Sequence, residues 1–120
     1  MALEPSYCYK AKIDRVVDGD TVYAFINVGF NISIYEKIRI AKIDTPEIYG
    51  VKKDTQEYED GMRAKDRLVE LIEGKDVIVR TELDKKGKYG RYIAEIFVDG
   101  SSVGDILLSE GLARIYWFDY

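Results

Sequence analysis

A chain of 120 residues with 47% hydrophobic content has material for one core and little room for a second. Its net charge of −4 and pI near 4.9 exclude a protein that coats nucleic acid by bulk charge, so any phosphate site must be local. Cys8 is the single cysteine and histidine is absent, which excludes an internal disulfide, the usual zinc constellations and the Ser/His and Cys/His nucleophile pairs.

The N-terminal decapeptide MALEPSYCYK lacks the basic and apolar regions of a signal peptide, and no apolar run approaches the roughly 20 residues that span a bilayer. The chain therefore reads as soluble, with no membrane partner and its compartment left open. From Tyr7 to Ile43 the pattern is mostly of period two, which predicts three antiparallel strands: Tyr9, Ala11 and Ile13 alternate with Lys10, Lys12 and Asp14, then VYAFINV and ISIYEKIRIAKI follow. Gly19 supports the first turn, and Gly29 with Asn31 supports a hairpin at the second.

Residues 44–60 lose the apolar rhythm and read as a loop holding six acids against two lysines, a local charge of −4. The next segment, up to Glu73, places Ala64, Leu68, Leu71 and Ile72 at helical steps and stops at Gly74, which predicts an amphipathic helix. DVIVRTEL and RYIAEIFV are two further strands joined by the turn DKKGKYG, and VGDILLSEGL is a short helix ended by Gly111. Five short strands with a helix after the third predict a mainly β, α+β fold: an OB-like Greek-key barrel with a short C-terminal helix, in one domain over 1–120, with 1–6 and 118–120 as flexible tails.

Three segments carry the chemistry. DGDT, residues 18–21, is by itself a turn signal, yet a turn does not need its second acid, Asp20. IDTPE, residues 43–47, supplies Asp44 and Glu47, and Pro46 holds Thr45 extended, which fixes the direction of its carbonyl. Oxygen donors of this kind suit a hard cation such as calcium rather than zinc or copper. Arg39 in IRIAKI must be held by carboxylates or reserved for an anion if it is not solvated. KKGKYGRY, residues 85–92, adds a basic loop with Lys88 and Arg91 around Tyr89, an aromatic face beside a phosphate-reading arginine.

DGDT, Arg39 to Glu47 as RxxxIDTPE, KYGR and the EGLA of residues 110–113 together resemble, in order and spacing, the thermonuclease family typified by staphylococcal nuclease. The resemblance runs from about Tyr9 to Tyr116. It implies that Asp20 and Asp44, with the carbonyl of Thr45, hold a catalytic Ca2+. It further implies that Glu47 orients or deprotonates the attacking water, and that Arg39 and Arg91 bind the scissile phosphate. Lys88 and Tyr89, with Tyr116 or Trp117, would line the nucleotide site. Members of the family hydrolyse DNA and RNA at the 5′ P–O bond, leave 3′-phosphates and show little sequence preference.

The elementary chemistry agrees with those roles: in-line attack on a phosphodiester needs an activated water, a polarising metal and cations facing the charge that builds up. Family members continue past EGLA into a further helix. The resemblance therefore predicts that Tyr116, Trp117 and Phe118 cover that face, or that self-association through this aromatic tail does. The overall acidity departs from the basic prototype and predicts weaker, more salt-sensitive substrate capture. The competing readings are a noncatalytic nucleic-acid-binding module on the same barrel and a calcium-binding or protein-interaction domain.

Overall fold

The structure is a computed structural model and describes residues 3–117. The first strand, β1 (Cys8–Asp18), turns inward with Ala11, Ile13 and Val16. Two register shifts against its neighbour, between Ile13 and Arg15 and between Val16 and Asp18, break the strict alternation. Such bulges bend a strand, which lets β1 serve two partners. Strands β2 (Thr21–Gly29) and β3 (Ile32–Ile40) form the expected hairpin, and its loop residues Phe30 and Asn31 both take positive φ, 54° and 60°. That is the two-residue geometry whose twist matches the flanking strands; Asn31 adopts it readily and the bulky Phe30 does not.

After β4 (Ile43–Asp44) comes helix α1 (Gln56–Ile72), capped by the Thr55 hydroxyl, which accepts from the Tyr58 amide. Glu57, Glu59 and Asp60 thus lie in the helix rather than in the loop expected over 44–60, and two of them, Glu57 and Glu59, occupy its first turn, where negative charge complements the dipole. The helix buries Gly61, Ala64, Leu68 and Ile72 and packs against β1. Gly74 ends it at φ 73° while its amide donates to the Ile13 carbonyl at 2.9 Å.

Strand β5 (Asp76–Lys86) runs further than expected and carries Lys85 and Lys86, so the turn before β6 (Tyr92–Val98) contracts to Gly87–Gly90. The chain then forms β7 (Ser101–Ser102), the short helix α2 (Val103–Ser109) capped by the Ser102 hydroxyl, and β8 (Arg114–Ile115). The small strands β4, β7 and β8 have no two-residue signature that pattern reading detects.

Neighbours in the main sheet run β3-β2-β1-β5-β6-β7, and a parallel pairing of β3 with β6 closes five of these strands into a barrel. The predicted α+β, OB-like fold is therefore the observed one. Ile13, Val22, Ile38, Leu68, Ile72, Val79 and Ile96 are all fully buried inside it. Each such side chain contributes about 1.5–3 kcal/mol through removal from water. No helix among the described residues is long and apolar enough to cross a membrane.

The closure pairs Arg39 with Ile93. This seam, the β1–β2 turn and the β4–β8 ladder meet at one side of the barrel.

Candidate active site

Asp20 leaves the β1–β2 turn into protein rather than solvent. Its Oδ2 accepts from the Thr45 amide at 3.1 Å and from the Thr45 hydroxyl at 3.0 Å, and its Oδ1 accepts from the Thr21 hydroxyl at 3.1 Å. A carboxylate so held is desolvated yet satisfied, which is how an acid that is only 7% exposed is tolerated. The turn closes over Gly19, where a Cβ would lie 2.7 Å from the Ala64 Cβ and 2.8 Å from the Thr45 hydroxyl; no other residue lets the turn lie against α1 this closely.

Arg39 is buried beside it. One of its terminal nitrogens, Nη1, donates to the carbonyls of Ile40 and Ile43, each at 2.9 Å. The other, Nη2, stands 3.2 Å from both Asp20 Oδ2 and Asp44 Oδ1. Burial pulls the Arg39 pKa below its ordinary value, and the two aspartates oppose that pull. The guanidinium is thus fixed by backbone and carboxylates together, as the cost of burying it requires.

The two carboxylates expected to hold a cation therefore converge: one oxygen of each lies 3.2 Å from a single atom. Among the described residues no group of three acidic, histidine or cysteine side chains gathers as a ready cage. Two carboxylates side by side are oxygen donors of the kind that suits a hard cation with a flexible shell, provided further donors complete it.

Asp20, Asp44, Arg39, Glu47, Lys88, Tyr89, Arg91, Tyr116 and Trp117 all line one cleft of about 540 Å³. Thr45 stands behind it, buried on Asp20. The Glu47 carboxyl is pushed above its ordinary value by burial and by the negative charges of Asp20 and Asp44. Arg91 is close enough for its charge to oppose that of Arg39, an arrangement that favours an anion between them, and its guanidinium lies 5.6 Å from the Tyr89 ring centre. Tyr116 donates its amide to the Lys42 carbonyl at 2.9 Å, and both Tyr116 and Trp117 reach the cleft, Trp117 with 75% of its surface exposed. They are thus not buried as a cover over the barrel, and Phe118 lies outside the described residues.

Two cleft residues escaped the sequence reading. The Asp18 side chain does more than close the turn: its carboxyl faces Asp20, and burial first, then the hydrogen bond and negative charge of Asp20, push it up to about 7. Its Oδ1 also accepts from the Asp20 amide at 3.1 Å. The DGDT tetrapeptide was a signal for it, masked by the ordinary use of Asp before Gly. Arg114 binds Asp44 Oδ2 at 2.9 Å through the β4–β8 ladder, and nothing in the sequence announces that pairing.

Comparison with known proteins bears on this assembly. A family model described as staphylococcal nuclease homologue matches residues 37–120. The SPbeta prophage-derived endonuclease YokF of Bacillus subtilis is 41% identical over 86% of this chain and 33% of its own length. Endonuclease YncB of the same organism is 38% identical over 86% of this chain and 46% of its own. The thermonuclease of Staphylococcus hyicus is 28% identical over 89% of this chain and 59% of its own. The chain thus spans between a third and three fifths of the length of these relatives.

Proposed function

Because the chain belongs to the staphylococcal nuclease family, we propose that it is a Ca2+-dependent nuclease that hydrolyses DNA and RNA at the 5′ P–O bond and leaves 3′-phosphates. The observation that carries this reading is the meeting of Asp20, Asp44, Arg39, Arg91 and Glu47 in one cleft. On this reading residues 1–120 form a single catalytic domain.

Asp20, Asp44 and the Thr45 carbonyl would hold the calcium, which when bound polarises a phosphoryl oxygen. Arg39 and Arg91 clamp the scissile phosphate and face the charge that develops on its equatorial oxygens. Arg39 begins the reaction already positioned by the Ile40 and Ile43 carbonyls, so little reorganisation is needed as charge builds.

Glu47 accepts a proton from, or orients, the attacking water, a role its place in the cleft beside Asp20 and Asp44 supports. Lys88 adds a phosphate contact, and Tyr89, Tyr116 and Trp117 offer faces on which a base or sugar can rest. Contacts made to phosphate carry no base information, so cleavage with little sequence preference follows.

Incubation of DNA and RNA with the protein, with calcium or with excess chelator, tests this directly. Degradation in calcium, protection by chelator, and loss of most activity in a folded Glu47→Gln variant are expected. Intact nucleic acid in calcium would leave a noncatalytic binding module in its place.

A further inference from the structure

The outer wall of the barrel beyond the cleft carries a second group of side chains suited to nucleic acid. In the β2–β3 ladder Tyr23 stands opposite Lys37 and Phe25 opposite Tyr35, while from β1 Arg15 faces Tyr23 and Lys12 faces Phe25. The rings form one surface. Tyr23 and Tyr35 stack with centres 5.5 Å apart and planes 10° from parallel, and Phe25 meets Tyr35 at 4.6 Å with a tilt of 48°. The Arg15 guanidinium lies 4.4 Å from the centre of the Tyr23 ring and the Lys37 ammonium 5.7 Å from it.

Cross-strand aromatic pairing stabilises a sheet, which explains why the rings touch. It does not explain why the patch stays open, with Phe25 46% and Tyr35 44% exposed, or why cations surround it in a chain of net charge −4. Arg15, Lys37 and Lys12 stand here against Asp14, which already accepts the Tyr35 hydroxyl at 2.6 Å, and against Asp76, which faces Lys12 across the β1–β5 ladder. The cations that border the rings on the β2–β3 side are therefore Arg15 and Lys37. An open aromatic surface bordered by Arg and Lys matches the way single strands are held, by stacking of unpaired bases and neutralisation of backbone charge.

Position adds to the chemistry. Lys37 and Arg39 are two residues apart on β3 and point the same way along the strand, about 7 Å between them. A strand leaving the cleft at Arg39 therefore meets Lys37 and Tyr23 next.

We propose that the Tyr23, Phe25 and Tyr35 face is a second nucleic-acid contact, a stacking track that receives the bases of a single-stranded substrate outside the cleft. This rests on the nuclease reading for the identity of its occupant. It gives the acidic chain a local means of holding long substrates that its overall charge does not provide.

The test combines two substrates. Binding of a fluorescent oligothymidylate of about 12 nucleotides, a length within the reach of one such barrel, is measured on Glu47→Gln with and without Phe25→Thr and Tyr35→Thr. Cleavage of a small thymidine 5′-nitrophenyl phosphate ester is measured on chains with intact Glu47. The track predicts that the two substitutions weaken oligonucleotide binding at least about fivefold and leave cleavage of the small ester unchanged. Equal oligonucleotide affinity overturns the track and leaves the nuclease reading standing. Failure of the unsubstituted chain to cleave both the ester and DNA in calcium overturns the nuclease reading, while oligonucleotide affinity still decides the track.

Photocrosslinking of a bromouracil oligonucleotide to the Glu47→Gln chain gives a readout that needs no substitution in the sheet. Adducts within residues 21–37 support the track, and adducts confined to residues 85–117 overturn it. A change of mass in solution on Phe25→Thr and Tyr35→Thr, without a change in oligonucleotide affinity, would assign the face to a second copy of the chain and overturn it too.

Discussion

One oxygen of Asp20 accepts two bonds from a single residue: the amide and the hydroxyl of Thr45 both point at Oδ2, at 3.1 and 3.0 Å. This joins the first turn of the chain to the end of β4 and fixes a carboxylate that would otherwise rotate. Thr45→Val keeps the shape and removes the hydroxyl. It should destabilise the protein by about 1 kcal/mol, the usual net value of one buried hydrogen bond, and weaken calcium binding without abolishing it. Thermal unfolding and calorimetric titration with calcium measure the two effects; an unchanged calcium affinity would show that Asp20 does not depend on Thr45 for its aim.

Arg114 holds Asp44 from the solvent side, with 77% of its side chain exposed. Exposed ion pairs contribute about 0–1 kcal/mol, so Arg114→Ala should alter the unfolding midpoint little. Asp44 would lose a competing cation. Calcium should therefore bind more tightly to the variant, as read by titration at low salt, and weaker binding would show Arg114 to be a support of the site instead.

Gly61 lies in the interior of α1, where helix propensity alone predicts that alanine stabilises by about 1 kcal/mol. The surroundings predict the opposite sign. A Cβ there would lie 2.6 Å from Ile48 Cγ2 and 2.7 Å from the Pro46 carbonyl oxygen. Gly61→Ala should cost about 1–3 kcal/mol by overpacking. It should also lower activity by displacing the segment that bears Glu47, and a raised melting temperature with full activity would refute both.

Glu95 provides a pH test away from the cleft. Burial alone would raise its carboxyl, but Lys42 and Arg80, at 2.8 and 3.1 Å, hold it below the ordinary value near 4.5. The folded value lies below the unfolded one, so the contribution to stability is complete above the unfolded value and disappears as pH falls through the folded one. Wild type should unfold at a higher temperature than Glu95→Gln at neutral pH, and the gap should close as pH falls below the ordinary carboxyl value and through the lowered folded one. A gap that persists in acid would mean that the difference arises from packing.

The sequence disclosed what local chemistry can disclose. Asp20, Asp44 and Arg39 were readable because DGDT and the segment through IDTPE place acids and a cation where strands end, and strand ends are where a barrel exposes function. Period two revealed the barrel strands because each has one wet face. Glu57, Glu59 and Asp60 were misplaced in a loop because acids in a first helical turn look like loop acids until the Thr55 cap is seen. Arg114 and Asp44 come together through a ladder of two residues on each side, and so short a pairing leaves no periodicity to read.

The closure of the barrel has a further consequence. Arg39 and Arg91 belong to separate halves of the chain, and the parallel pairing sets β3, which carries Arg39, beside β6, which Arg91 immediately precedes. Pairings between segments far apart in sequence carry the largest entropic cost of loop closure and form slowly. The pair of arginines therefore exists only in a molecule that has completed its assembly. A nascent or partly unfolded copy holds Asp20 near Thr21 but lacks the opposing cations, so the proposed hydrolysis would wait until β3 and β6 have paired.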